Sequence, residues 1–209
     1  MHNLSFSLEG ALNGTVAGID EAGCGAWAGP VVAAAVMFSK ENNVNTLLPY
    51  LNDSKKLSKR QREIAYNLIW EEKSILVGVG VSSQDEIDQL NIRQATLKAM
   101  IKAVDGLSQQ PDHLLVDGLS APKTLIPCQT ITKGDQKSFS IAAASIIAKV
   151  TRDQIMADLD RLYPGYGLET NVGYGTKSHL EALRQKGVTS IHRKSYKPIQ
   201  QLQELMPLV

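Results

Sequence analysis

Residues 15–38 read TVAGIDEAGCGAWAGPVVAAAVMF, and this stretch decides the fold. Residues 15–19 are a short apolar run that predicts a strand, closed by two adjacent carboxylates, Asp20 and Glu21. Neighbouring strand residues point to opposite faces. Adjacent acids can therefore share one polar face only where a strand ends or bulges. Gly23 and Gly25 follow at once, so the strand is expected to end at the acids. Two carboxylates then sit at a strand tip, where α/β proteins tend to place their sites. Close carboxylates repel and raise one another's pKa unless a cation neutralises them. A divalent metal explains the pair economically; a solvated acidic turn is the plain alternative for the dipeptide taken alone. Residues 30–38 form an unbroken apolar run opened by Pro30, which predicts a buried strand. That run also disposes of a competing motif. Gly23, Gly25 and Ala28 satisfy the loose dinucleotide fingerprint GxGxxA, but the fingerprint needs a helix next, and Pro30, Val31 and Val32 stand there instead.

Further along, residues 74–81 (SILVGVGV) predict a third strand, and short links between these three suggest an antiparallel meander. Residues 58–70 have helical spacing with Ser58 as N-cap. Residues 92–104 predict another helix, 112–116 a short strand running into Asp117-Gly118, and 124–132 a further strand. Residues 138–162 predict a long helix, or two in line, whose small apolar first half is buried against the sheet. Residues 177–185 predict a last amphipathic helix. Strands first, then alternating helices and strands, fit an α/β domain with a mixed sheet covered on both faces.

At 209 residues and 43% hydrophobic, the chain is expected to form one domain, 1–209, with a sizeable core. Two cysteines, Cys24 and Cys128, are too few for a disulfide framework and fit a reduced, cytoplasmic protein. The N-terminus lacks the basic start and apolar core of a signal peptide. No apolar stretch reaches membrane-spanning length, so no membrane partner is expected. The net charge of +1 neither demands nor excludes a polyanion. Lys55, Lys56, Lys59, Arg60 and Arg62 cluster in one stretch, and His192, Arg193, Lys194 and Lys197 in another. Nucleic-acid surfaces need such patches; an ordinary solvated helix face or tail is the bland reading of either.

Asp117 repeats the logic of Asp20, following an apolar strand and preceding Gly118. Asp135 lies in Lys133-Gly134-Asp135, just before the buried helix. If Asp20, Glu21, Asp117 and Asp135 meet at one sheet edge, they form an all-oxygen site suited to Mg²⁺ or Mn²⁺. Two such ions can clamp the attacking and leaving oxygens of a phosphodiester. No histidine pair has zinc-site spacing. His2, His113 and His179 read as surface or helix residues, and His192 as a structural hydrogen-bonding group.

Taken together the segments resemble ribonuclease HII over nearly the whole chain. The carriers are GIDEAGCGAWAGPVVAAAV from Gly18, DSKKLS from Asp53, VDG at 116–118, KGDQKSFSIAAASIIAKVTRD from Lys133, YPGYG, GYGTKSH and IHRKSY. The resemblance implies a ribonuclease H-like α/β fold with a mixed central sheet flanked by helices and a helical C-terminal extension from about residue 160. It implies an endonuclease that cuts RNA in RNA–DNA hybrids, and DNA duplexes containing single ribonucleotides, on the 5′ side of the ribonucleotide, leaving 3′-hydroxyl and 5′-phosphate ends. Asp20, Glu21, Asp117 and Asp135 match the family's metal-binding acids, implying two Mg²⁺ or Mn²⁺ ions. Tyr174 matches the tyrosine that packs on the sugar beside the junction. Lys55 and Lys56 match a segment near the nucleic-acid backbone.

One departure stands out. Gly23-Cys24-Gly25 replaces the family's Gly-Arg-Gly, a tripeptide that senses the 2′-hydroxyl largely through its backbone. The flanking glycines remain, so a functional but weakened site is expected. The rivals are ribonuclease HIII, whose additional N-terminal domain a short segment before Gly18 does not supply, and a silent nucleic-acid-binding homologue that has lost the chemistry. A monomer is expected. The tail QQLQELMPLV reads as a frayed helix, with a sliding-clamp contact as the alternative.

Overall fold

The apolar run at residues 15–19 becomes part of the central strand of a sheet. The computed structural model describes residues 4–39, 47, 50–51 and 57–205. After a short helix, α1 (Ser7–Gly10), come β1 (Val16–Ala22), β2 (Val31–Phe38), α2 (Lys59–Glu71), β3 (Ile75–Ser82), α3 (Gln84–Leu90), α4 (Ile92–Asp105), β4 (His113–Asp117) and β5 (Cys128–Ile131). A 3₁₀ turn (Gly134–Gln136) leads into α5 (Phe139–Leu162), followed by α6 (Leu168–Asn171), α7 (Lys177–Lys186) and α8 (Lys197–Leu205). The five strands make one sheet in the order β3-β2-β1-β4-β5. β1, β2 and β3 are antiparallel neighbours, while β4 runs parallel to both β1 and β5. The sheet is therefore mixed, as expected.

Alternation along β1 sorts the core. Ala17 and Ile19 pack with Ala99, Met100 and Ala103 of α4 on one face. On the other, Gly18 lies so close to α5 that a Cβ there would strike the backbone of Ser140 and Ile141. The apolar first half of α5 packs over β2 and against Ala65 and Ile69 of α2. Local chemistry starts the helices as read: Ser58 and Gln61 form a capping box on α2, and the Ser138 hydroxyl accepts the Ile141 N–H at the start of α5. A third apolar group, with Tyr166, Leu168, Leu183, Ile191 and Ile199, binds α6, α7 and α8 to Ala28 and to Met156 of α5. These helices are the expected extension.

Several boundaries differ from the sequence reading. β1 does not stop at the acids but continues to Ala22, because β2 goes on pairing with it through Ala22↔Val32. Pairing with β4 does stop, at Ile19↔Val116, so the acids stand at an opening on one side only. The link between β2 and β3 is not short; it contains α2. Of residues 124–132 only Cys128–Ile131 form a strand. α5 is one continuous helix. α3, α6 and α8 had no sequence counterpart beyond the frayed tail, and 206–209 lie outside the described residues. Among the described residues no helix is long and apolar enough to cross a membrane.

Candidate active site

Parallel register brings two of the predicted acids together. Asp20 is the β1 residue after Ile19, and Asp117 the β4 residue after Val116, so they follow the last paired positions side by side. Asp117 accepts the Gly134 N–H at 2.6 Å, which tethers the 3₁₀ turn carrying Asp135 to the tip of β4. Asp20 and Asp135 are each only 6% exposed. Glu21 points to the other face, beside α4. There it accepts the Cys24 thiol at 3.6 Å, and with Asp117 it borders a cleft of about 240 Å³ that Cys24, Thr96 and Met100 also line.

Burial, then the Glu21 and Asp117 carboxylates, push the Asp20 carboxyl well above the ordinary carboxylate range. Only two neutral donors favour its charge, the Glu21 N–H and the Ser145 hydroxyl. A buried acid crowded by two others and supported by neutral donors is an environment that a cation would relieve. The donors are carboxylate oxygens, the ligand type preferred by Mg²⁺ and Mn²⁺. The residues therefore fit a hard divalent cation. Among the described residues, no three of these side chains are already drawn into a closed ligand cluster.

The tripeptide divides its tasks. Gly23 has φ +98°, which favours glycine, and a Cβ there would strike the Arg152 guanidinium. Cys24 is half-buried, and its thiol reaches Thr96 of α4 at 3.4 Å. Burial, followed by the Glu21 charge, raises that thiol to about 11, so it keeps its proton and is no candidate ligand for a hard cation. Gly25 is exposed, with the ring of Tyr174 3.6 Å from where its Cβ would be. Tyr174 is 39% exposed, and the Arg152 guanidinium sits 5.8 Å from its ring centroid. Lys55, Lys56 and Asp53 lie outside the described residues.

One residue was misplaced by the sequence reading: Arg193 is not part of a solvated basic patch but 0% exposed. His179, read as a surface or helix residue, lies in helix α7 and is itself 0% exposed. His192 is the structural hydrogen-bonding group expected. His179 Nδ1 donates to the Tyr174 carbonyl at 2.9 Å, and the two histidines share an Nε2–Nε2 contact of 3.2 Å. The Thr189 N–H donates to His192 Nδ1 at 3.1 Å, so the His192 Nε2–H is the one that donates to His179. The only sequence signal was the spacing within GYGTKSH and IHRKSY; nothing local reveals that two segments 13 residues apart stack in one interior.

Strand order, strand direction and the placing of the acids give the chain a ribonuclease H-like fold. The archaeal ribonuclease H2 of Pyrococcus horikoshii superposes with a TM-score of 0.77 at 26% identity, covering 91% of this chain and 98% of that one. Ribonuclease HII of Archaeoglobus fulgidus, solved as a complex with PCNA, gives 0.71 at 27% identity, over 88% and 95%. The family model for Ribonuclease HII matches residues 17–199, and the chain belongs to that family of endonucleases acting on RNA in RNA–DNA hybrids. A curated ribonuclease HII of Geobacillus sp. (strain WCH70) is 53% identical over 190 residues, which is 91% of this chain and 66% of that protein. The chain thus spans about two thirds of that relative's length.

Proposed function

We propose that this protein is an endoribonuclease that hydrolyses RNA in RNA–DNA hybrids and cuts DNA duplexes 5′ to single embedded ribonucleotides, leaving 3′-hydroxyl and 5′-phosphate ends. One observation carries the reading: Asp20, raised well above its ordinary pKa by burial and by its neighbouring acids, faces Asp117, to which the Asp135 turn is tied. Asp20, Glu21, Asp117 and Asp135 would hold two Mg²⁺ or Mn²⁺ ions. When bound, such ions lower the pKa of an attacking water and stabilise a departing oxygen. The chain's own part is to set the acids at the open side of β1 and to present Gly25 and Tyr174 beside them. The Tyr174 ring would pack on the sugar at the junction, and the Gly23–Gly25 backbone would meet the 2′-hydroxyl. Lys55 and Lys56 would contact phosphates nearby. The protein works in the cytoplasm as a monomer in this reading, with no clamp contact required.

The half-buried Cys24 favours one second reading, a weakened or silent binding homologue, since a thiol offers far less than a guanidinium to a nucleic acid. Incubation of the purified protein with Mn²⁺ and a labelled RNA–DNA hybrid separates the two. Metal-dependent cleavage that falls by at least about a thousandfold in Asp117→Asn supports the enzyme, as expected when a charged group central to the site is neutralised. Binding without cleavage in the unaltered protein supports the silent homologue.

A further inference from the structure

Two arginines stand behind the Gly23–Gly25 loop, and the chemistry above uses neither. Arg152 is 1% exposed and Arg193 0%, and neither has a salt-bridge partner among the described residues. Burying an unpaired guanidinium is costly unless its donors are satisfied. Here six charge-assisted hydrogen bonds to backbone carbonyls, and a seventh from Arg193 to the Tyr196 hydroxyl, do so. Arg152 donates to the carbonyls of Pro30 (2.9 Å), Val172 (2.9 Å) and Ala28 (3.2 Å). Arg193 donates to those of Gly29 (3.0 Å), Cys24 (3.0 Å) and Pro30 (3.1 Å). Apart from that of Val172, every acceptor carbonyl lies between residues 24 and 30. The guanidiniums are a rigid template on which that loop is laid.

The Cys24 carbonyl is held twice. Besides Arg193 Nη1, the Tyr196 hydroxyl donates to it at 2.6 Å, while Arg193 Nη1 also donates to that hydroxyl at 2.9 Å. A trans peptide is planar, so its N–H points opposite to its C=O, and the described chain contains no cis bond. With the Cys24 carbonyl drawn inward, the Gly25 N–H is directed outward. Gly25 is exposed, and among the described residues no hydrogen bond within the protein takes up its N–H.

We propose that Arg193 and Tyr196 are positioning residues that orient the Cys24–Gly25 peptide, so that the Gly25 N–H donates to the 2′-hydroxyl of the junction ribose. The proposal rests on the reading of Gly23–Gly25 as the substrate-contacting segment. It makes discrimination of ribose from deoxyribose a property of the backbone and its inner scaffold, independent of the side chain at position 24.

The test is binding measured by fluorescence anisotropy in EDTA, where cleavage does not interfere. Two duplexes are compared, identical except that one carries a single ribonucleotide in place of its deoxynucleotide. The unaltered protein binds the ribonucleotide duplex more tightly. Tyr196→Phe, which removes one of the two donors to the Cys24 carbonyl, narrows that preference about two- to tenfold, the range for one hydrogen bond. Its affinity for the all-DNA duplex and its Tm stay near those of the unaltered protein. Arg193→Lys, which keeps the charge but loses the planar fork, narrows the preference further; if it does not fold, Tyr196→Phe decides alone. Full preference retained in folded Tyr196→Phe overturns the positioning role. Absence of any preference in the unaltered protein overturns the tripeptide reading beneath it.

Discussion

Asp20 is the residue on which the account turns, because the fold holds it at a cost. Its carboxyl is buried, crowded by Glu21 and Asp117, and supported only by the Glu21 N–H and the Ser145 hydroxyl. Asp20→Asn removes the charge and keeps an acceptor for those donors. In the absence of divalent cations this variant is expected to melt several degrees higher than the unaltered protein, since the repulsion is gone. With Mg²⁺ or Mn²⁺ the order reverses, because only the unaltered site gains from the cation, and cleavage is lost. Thermal melts with EDTA and with each metal check this; an unchanged or lower Tm for Asp20→Asn in EDTA would show that the acids are already compensated. The sequence singled out Asp20 because it closes an apolar run, Glu21 because it is the adjacent carboxylate, and Asp117 and Asp135 because each borders a glycine. The burial of Arg152 and Arg193 was not legible. Arg193 read as part of a solvated patch and Arg152 drew no reading, and only the folded chain reveals the backbone carbonyls that make burial tolerable.

At the scale of elements, α7 and the 188–192 segment are joined by the His179–His192 pair. Burial first, then the neighbouring His179, lowers His192 to about 4, and burial lowers His179 as well. An unfolded histidine titrates near 6.5. Between those values the unfolded chain takes up a proton that the folded chain refuses. Stability contributed by His192 is therefore intact above about pH 6.5, is lost as pH falls, and levels off below about 4, at roughly 1.4 kcal/mol per pH unit in that window. Urea unfolding at pH 7, 6 and 5 should give a shallower pH slope for His192→Gln than for the unaltered protein; identical slopes would refute the assignment. The elements themselves were legible where periodicity was strong, as in α2, α4 and the apolar half of α5. The end of β1 was misread because adjacent acids look like a strand end, whereas continued pairing with β2 carries the strand to Ala22. α3 escaped notice because its seven residues bury only Ile87, too little to leave a pattern.

For the whole molecule, topology makes the site. The parallel pairing of β1 and β4 stops one residue short of Asp20 and Asp117, and α5, entering just after Asp135, closes the same edge. Fold class could be read from the order of motifs; the loop scaffold of Arg152, Arg193 and Tyr196 could not, since apart from Val172 the carbonyls it holds lie more than 100 residues away in the chain. That scaffold lets a Gly-Cys-Gly tripeptide keep the backbone function ascribed to it. The most direct measurement is cleavage of two labelled substrates with Mg²⁺ or Mn²⁺, a DNA duplex bearing one ribonucleotide and an RNA–DNA hybrid, with the cut sites mapped to the nucleotide. Both are expected to be cut, the single-ribonucleotide duplex on the 5′ side of the ribonucleotide to leave a 3′-hydroxyl. Cutting of the hybrid alone would contradict backbone sensing at Gly25, and cutting of neither, with the protein folded and metal present, would contradict the assignment of the four acids as a catalytic centre.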